Sequence, residues 1–160
     1  MRLIVNDRPY DVDVPPRKTL ADTLRDDCGL TGTHVGCEQG VCGSCTVLYD
    51  GEPVRACLLF AVQCAGVRIR TVEGLAADGE RLHPVQEAFL RHGALQCGFC
   101  TPGFLMLLAG ALAEPAGGEP DEERLREIVS SNLCRCTGYL PILAAAREAA
   151  ALLAGADGTP

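Results

Sequence analysis

The first 76 residues alternate between apolar and polar positions in short stretches that predict strands. RLIVND and the segment around Tyr10 alternate with a period of two on either side of an Asn6-Asp7 turn. TVLYDGEPV contains the Asp50-Gly51 pair, a strong short-range hairpin signal, and VRIRTVEG predicts one further strand. TLADTLRDD places Leu20 and Leu24 on one face and predicts a short helix. This part of the chain therefore predicts a small sheet with one helix.

Beyond Gly74 the apolar period changes to that of helices. Four segments have this period: PVQEAFLRH, PGFLMLLAGALAE, DEERLREIVSS and PILAAAREAAALLAG. The longest apolar run, residues 103–113, is shorter than the roughly 18 residues that a membrane span needs, so it predicts a buried helix. The predicted fold is α+β, with a sheet domain over residues 1–76 and a four-helix domain over residues 77–160 that ends in a disordered tail at 155–160.

Composition and charge narrow the classes of function. Fourteen Lys and Arg stand against 21 Asp and Glu, for a formal net charge of -7, which gives no basic field for a nucleic acid. Tryptophan is absent and aromatic residues make up 4% of the chain, so a carbohydrate or base-stacking site is not favoured. The N-terminus has no basic region followed by an apolar region and a cleavage site, so we expect a cytoplasmic protein without a membrane span.

Ten cysteines are the strongest chemical signal in the chain. Four of them form a C-x4-C-x2-C pattern followed by eleven residues and a fourth cysteine, namely Cys37, Cys42, Cys45 and Cys57. The opening spacing is that of plant-type [2Fe–2S] ligation. Gly36, Gly40 and Gly43 let this loop curl with its backbone N–H groups pointing inward, which stabilises an anionic cluster. We expect this quartet to bind one [2Fe–2S] cluster.

The helical half contains a second quartet, made of a C-x2-C pair and a C-x-C pair: Cys97, Cys100, Cys134 and Cys136. Each pair shortly precedes a predicted helix start, so the positive ends of two helix dipoles would favour thiolates at one shared site. We expect a second cluster at this site.

Zinc and disulfides are less favourable assignments for these cysteines. Structural zinc also takes four thiolates, but two quartets of different spacing, one of them plant-type, favour iron. Disulfides are disfavoured because a C-x-C pair closes too short a loop to bridge without strain. Cys28 and Cys64 fall outside both quartets and are expected to be packed thiols. His34, His83 and His92 have no matching nucleophile or acid partner, so no catalytic histidine is expected.

Several long motifs resemble one family. The segments GLTGTHVGCEQGVCGSCTVL, VEGL, LHPVQEAF, ALQCGFCTPG and NLCRCTGY are similar to the small iron–sulfur subunit of the molybdenum hydroxylases, the xanthine dehydrogenase and carbon monoxide dehydrogenase family. This resemblance implies a ferredoxin-like β-grasp domain with one [2Fe–2S] cluster, followed by a helical bundle with a second.

The resemblance also implies partners and a direction of electron transfer. A large subunit would carry a molybdenum–pterin cofactor, and electrons would leave it through the helical-domain cluster and then the β-grasp cluster, towards a medium subunit that carries FAD. Gln96 and Cys136 are expected to contact the pterin. The implied assembly is a dimer of heterotrimers with no substrate site on this chain, so the motifs say nothing of the substrate.

Two rival functions remain open from the sequence. A free-standing ferredoxin would keep both clusters without the enzyme, although it would have no need of a second domain with motifs directed at a partner cofactor. A zinc-stabilised interaction module would be colourless, because zinc has a filled d shell.

Overall fold

A computed structural model describes residues 1–76, 81–113 and 120–156 of the chain. The N-terminal part contains a five-stranded sheet of order β2-β1-β5-β3-β4. Its strands are β1 (Arg2–Val5), β2 (Arg8–Asp11), β3 (Thr46–Tyr49), β4 (Glu52–Arg55) and β5 (Arg68–Arg70). Strands β1 and β5 are parallel, whereas the other neighbours are antiparallel. This mixed sheet confirms the strands that the alternating pattern predicts.

The one helix of the sheet domain is less regular than its apolar spacing predicts. Helix α1 spans only Leu20–Asp22 and continues as a π-helical turn over Thr23–Asp27. The hydroxyl of Thr19 accepts a hydrogen bond from the backbone N–H of Asp22 and caps the start of α1. Its position directly before Leu20 is typical of such a cap. Leu20 and Leu24 are nevertheless both fully buried against the sheet.

In its described ranges, 81–113 and 120–156, the second part has helices as its only regular elements. The four helices are α2 (Pro84–Arg91), α3 (Thr101–Ala113), α4 (Glu122–Ser130) and α5 (Leu140–Ala156). Two of these helices have side-chain N-caps. The backbone N–H of Val85 donates to His83 Nδ1 at the start of α2, and the backbone N–H of Arg124 donates to the Asp121 carboxylate at the start of α4. No helix in the described part of the chain is both long and apolar enough to cross a bilayer.

Two of the predicted boundaries are only partly covered. Helix α5 runs through Ala156, so the first two residues of the tail predicted at 155–160 are helical. Residues 157–160 and the domain boundary predicted at residue 77 lie outside the described residues.

Helix α3 joins the two parts by lying directly on the sheet. Leu48 of β3 belongs to the same apolar core as the helices. A Cβ atom on Gly103 would collide with the carbonyl oxygen of Gly43 and with Ser44. Because only glycine permits this approach, the start of α3 contacts the loop that contains the first cysteine quartet.

Candidate metal centres

The first cysteine quartet lies in the loop before β3 and in a short 3-10 turn after β4. Cys37 and Cys42 are half-buried, whereas Cys45 and Cys57 are buried. Three residues of the loop, Glu38, Gly40 and Gly43, have positive φ values. This tight path directs the backbone N–H groups of Gln39 and Cys42 at Cys37 Sγ, each at 3.4 Å. The loop is therefore built to stabilise negative charge on sulfur.

The protonation equilibria of these thiols differ with their surroundings. Backbone N–H groups, that of Cys42 first, lower the pKa of Cys37 to about 7. Burial raises the pKa of Cys45 to about 11. The fold itself thus eases ionisation of Cys37 and opposes that of Cys45, where a bound cation would supply the counter-charge.

The second quartet is formed by two loops that converge at the starts of α3 and α5. Cys97 and Cys136 are exposed, and their Sγ atoms are 3.5 Å apart. Cys100, directly before α3, and Cys134 are half-buried. Burial raises the pKa of Cys100 to about 12, and the neighbouring Cys134 adds to this shift. The quartet therefore has an exposed pair and an inner pair.

Cys134 lies in a local hydrogen-bond network. Its Sγ accepts the hydroxyl of Thr137 at 3.1 Å, and its backbone N–H donates to the phenol oxygen of Tyr139 at 3.0 Å. Burial opposes ionisation of this thiol, but the Thr137 hydroxyl and nearby backbone N–H groups bring the pKa of Cys134 below its usual value. These donors therefore more than offset the effect of burial on the ionisation of Cys134.

Cysteines of both quartets line one cavity of about 280 Å³. Its lining includes Cys42 of the first quartet and all four members of the second, Cys97, Cys100, Cys134 and Cys136. Phe99 and Leu133 also line it and are 47% and 52% exposed. The two candidate centres are therefore neighbours, and two exposed apolar side chains lie beside the second quartet.

The donor set fits a binuclear cluster. No three His, Cys, Asp or Glu side chains among residues 1–76, 81–113 and 120–156 come together as the ligands of a single metal ion. A [2Fe–2S] cluster does not require three side chains around one ion, because its four thiolates are divided between two irons. The close Cys97 and Cys136 pair, with an inner pair beside it, matches two thiolates for each iron.

Backbone and side-chain contacts join the two cysteine-bearing loops. Leu133 donates its backbone N–H to the carbonyl oxygen of Cys42 at 2.9 Å. His34 Nδ1 donates to the carbonyl oxygen of Phe99 at 2.8 Å, and the two rings stack with centroids 4.9 Å apart. No pattern in the sequence signalled these contacts, because each joins residues more than 60 positions apart.

A second set of contacts lies beside these loops. The side-chain amide of Asn132 donates to the carbonyl oxygen of Gly43 at 3.3 Å. Arg55 donates one guanidinium N–H to the hydroxyl of Thr46 and another to the carbonyl oxygen of Ser131 at 2.8 Å. The segment that leads into Cys134 is therefore fixed to the sheet domain by side chains as well as by backbone.

Three further residues that the sequence analysis singled out are not members of a quartet. Gln96 lies beside the second quartet, whereas Cys28 and Cys64 lie apart from both. Gln96, the predicted pterin contact, is exposed directly before Cys97. Cys28 ends the π-helical turn, and Cys64 is fully buried. Burial raises the pKa of each of these two thiols to about 11, as expected of packed, unreactive cysteines.

Family models match both parts of the chain. A 2Fe-2S iron-sulfur cluster binding domain matches residues 3–64, and a [2Fe-2S] binding domain matches residues 71–147. The chain is 54% identical to the 6-hydroxypseudooxynicotine dehydrogenase complex subunit beta of Paenarthrobacter nicotinovorans, over 91% of this chain and 89% of that one. It is 44% identical to the nicotinate dehydrogenase small FeS subunit of Eubacterium barkeri, over 93% of both.

A solved structure agrees with these relatives. Quinoline 2-oxidoreductase from Pseudomonas putida 86 contains a chain that superposes with a TM-score of 0.89 and is 51% identical, over 99% of this chain and 98% of that one. The fold, the cysteine pattern and the sequence identity over nearly the whole length all indicate the same family. The chain belongs to the family of small iron–sulfur subunits of the molybdenum hydroxylases.

Proposed function

We propose that this chain binds two [2Fe–2S] clusters and conducts electrons between a molybdenum–pterin site on a large subunit and FAD on a medium subunit. The first cluster takes the quartet of Cys37, Cys42, Cys45 and Cys57, and the second takes Cys97, Cys100, Cys134 and Cys136. A bound [2Fe–2S] cluster supplies reversible one-electron transfer. The two quartets divide between domains with their boundary near residue 77.

One observation carries this proposal: cysteines of both quartets line the same cavity. A relay needs its two centres close together, and the hydrogen bond from Leu133 to Cys42 joins their loops through the backbone. A chain that used its cysteines only to stabilise two separate domains would have no need of this proximity. The arrangement therefore supports transfer between the centres rather than two independent structural sites.

The exposure of the second quartet supports the order of the relay. Cys97 and Cys136 are exposed, whereas Cys42, which lines the same cavity, is half-buried. Electrons would therefore enter at the exposed pair, where Gln96 and Cys136 would contact the pterin of the large subunit. They would leave from the β-grasp quartet towards the flavin.

The residues of this chain hold charge and exclude water. Backbone N–H groups at Cys37 and the Thr137 hydroxyl at Cys134 stabilise the thiolates that would bind iron. Phe99 and Leu133 lie exposed at the shared cavity and would be covered by the large subunit, which removes the outer thiolates from solvent. The complete assembly is a cytoplasmic dimer of heterotrimers, and its substrate is selected on the large subunit.

Metal and flavin analysis of the assembled complex tests this function first. An affinity tag on this chain should recover two larger subunits together with molybdenum and FAD. A chain that purifies alone with iron would be a free-standing ferredoxin, and one that holds zinc would be a structural module.

The relay itself is tested by Cys100→Ser in the same complex. We expect the dithionite-reduced variant to lose the EPR signal of the helical-domain cluster and to keep that of the β-grasp cluster. A nitrogen heterocycle that reduces the flavin of the wild-type complex should no longer do so in the variant. Unimpaired flavin reduction would contradict the proposed order.

A further inference from the structure

The hydroxyl of Thr137 has a fixed orientation towards Cys134. Thr137 Oγ1 donates to Cys134 Sγ at 3.1 Å and accepts the backbone N–H of Tyr139 at 3.2 Å. A hydroxyl has a single hydrogen. Because a thiolate sulfur can only accept, the hydrogen is directed at Cys134 Sγ while the oxygen accepts the N–H of Tyr139.

The backbone after Thr137 is shaped to maintain this contact. Gly138 and Tyr139 both have left-handed φ values, 66° and 68°, and for Tyr139 this conformation is strained. The turn carries the Tyr139 ring back over the loop, where its phenol accepts the N–H of Cys134 and donates to the carbonyl oxygen of Asn132 at 3.3 Å. Strain at Tyr139 is thus offset by hydrogen bonds on both sides of the Cys134 loop.

We propose that the Thr137 hydroxyl is a positioning group that raises the reduction potential of the helical-domain cluster through its hydrogen bond to Cys134. This inference rests on the proposed function, since it requires a redox-active cluster at the second quartet. Nothing in the ligand pattern itself requires a hydroxyl at this place.

The physical reason is the charge that reduction adds. One electron enters the cluster, no bond to a ligand breaks, and the net charge of the cluster becomes more negative by one. A hydrogen bond to a ligand sulfur is stronger in the more negative state, and the proton stays on the Thr137 oxygen. The contact therefore stabilises the reduced form more than the oxidised form.

Two variants of the assembled complex separate the hydroxyl from the packing of the side chain. Thr137→Val keeps the branched shape and removes the donor, whereas Thr137→Ser keeps the donor and removes a methyl group. In an EPR-monitored redox titration, we expect Thr137→Val to reduce the equilibrium constant for reduction of the helical-domain cluster about tenfold, or about 59 mV for a one-electron couple. Thr137→Ser should remain close to the wild type, and the potential of the β-grasp cluster should be unchanged in both.

Each alternative result overturns the proposal. Equal potentials in wild type and Thr137→Val would remove the role of the hydroxyl, and equal shifts in Thr137→Val and Thr137→Ser would assign it to packing. If Thr137→Val does not retain the cluster, the smaller Thr137→Ala replaces it in the comparison. If the cluster is lost from Thr137→Val and Thr137→Ala but kept in Thr137→Ser, the hydroxyl serves cluster assembly and not the potential. If the cluster is lost from Thr137→Ser as well, the packing of the side chain and not its hydrogen bond is what the site requires.

The wild-type spectrum separates this inference from the proposed function. A wild-type complex without two [2Fe–2S] signals contradicts the proposed function. Two signals together with an unshifted Thr137→Val variant contradict only the tuning by Thr137.

Discussion

The backbone N–H of Leu133 donates to the carbonyl oxygen of Cys42 at 2.9 Å. Leu133 directly precedes Cys134 of the second quartet, and Cys42 belongs to the first. One hydrogen bond therefore connects the peptide units beside two cysteines that lie 92 positions apart in the sequence. The relative position of the two centres is set by the backbone of both domains, and changes that separate the loops should affect both centres.

Gly103→Ala should destabilise the contact between the helices and the first cysteine loop. The added methyl group would collide with backbone atoms of Gly43 and Ser44, which cannot move without moving the loop. We expect the free energy of unfolding to fall by about 1 to 3 kcal/mol, as for other overpacked sites. Anaerobic urea denaturation followed by circular dichroism measures this change.

Gly155→Ala is the matched control for that substitution. Gly155 also lies in a helix, but a Cβ atom there would meet no atom within 4 Å. Because alanine favours the helix, this variant should be as stable as the wild type or slightly more stable. Equal losses in the two variants would contradict the importance of the α3 contact.

Arg55→Met should weaken the attachment of the Cys134 segment to the sheet. The variant loses the hydrogen bonds to Thr46 and to the carbonyl oxygen of Ser131, while methionine retains much of the apolar stem. A loss of about 1 to 2 kcal/mol in the free energy of unfolding is expected for hydrogen bonds from a charged donor. Arg2→Met, at an exposed pair with Asp11, should leave the urea midpoint unchanged. Equal effects would argue against a special role of Arg55.

The contact between α4 and α5 should weaken in acid. Glu122 pairs with Arg147 and Arg126, and these partners lower the pKa of its carboxyl to about 2. In the unfolded chain the pKa of a Glu carboxyl is about 4.3, so the lower pKa in the folded chain means that Glu122 stabilises the fold above about pH 4.3. This stabilisation is lost as the pH falls towards 2. The difference in urea midpoint between wild type and Glu122→Gln should be constant from about pH 7 to 5 and should shrink below about pH 4.5.

Glu123→Gln serves as the control for the acid-sensitive contact. The Glu123 carboxylate makes no ion pair among residues 1–76, 81–113 and 120–156. We expect its substitution to leave the pH profile of the wild type unchanged. A profile of Glu122→Gln that parallels the wild type down to about pH 3 would show that the ion pairs do not contribute.

Cys28 and Cys64 should be dispensable for iron binding. Both have pKa values of about 11, raised by burial, and neither lies in a quartet. Cys28→Ala and Cys64→Ala should each retain the full iron content, although the fully buried Cys64 site should lose some stability. Cys57→Ala should lose the β-grasp cluster. Iron analysis of the three variants decides this, and loss of a cluster from Cys28→Ala would contradict the ligand assignment.

Sequence patterns predict the elements of this fold well where the determinants are local. The Asn6-Asp7 and Asp50-Gly51 turns have the positive φ values that their residue types favour, and both form hairpins. The helical spacing after Gly74 gives four helices. In contrast, TLADTLRDD becomes mostly a π-helical turn, because its burial against the sheet overrides its local preference.

The candidate centres are predictable from cysteine spacing, but the contact between them is not. Spacing reports which thiols lie on one loop, whereas the shared cavity depends on how α3 packs on the sheet. Gly103 permits that packing, yet a sequence does not show which of its glycines faces another backbone at close range. Arg55 and Asn132 likewise gain their roles only from residues that are distant in the chain.

Quantifying iron and acid-labile sulfide in the anaerobically purified complex, together with EPR after dithionite reduction, tests the two-cluster assignment most directly. Four iron atoms and four sulfides for each copy of this chain, with two distinct [2Fe–2S] signals, are the predicted result. A colourless chain without labile sulfide, or one that contains zinc and gives no EPR signal, would contradict it.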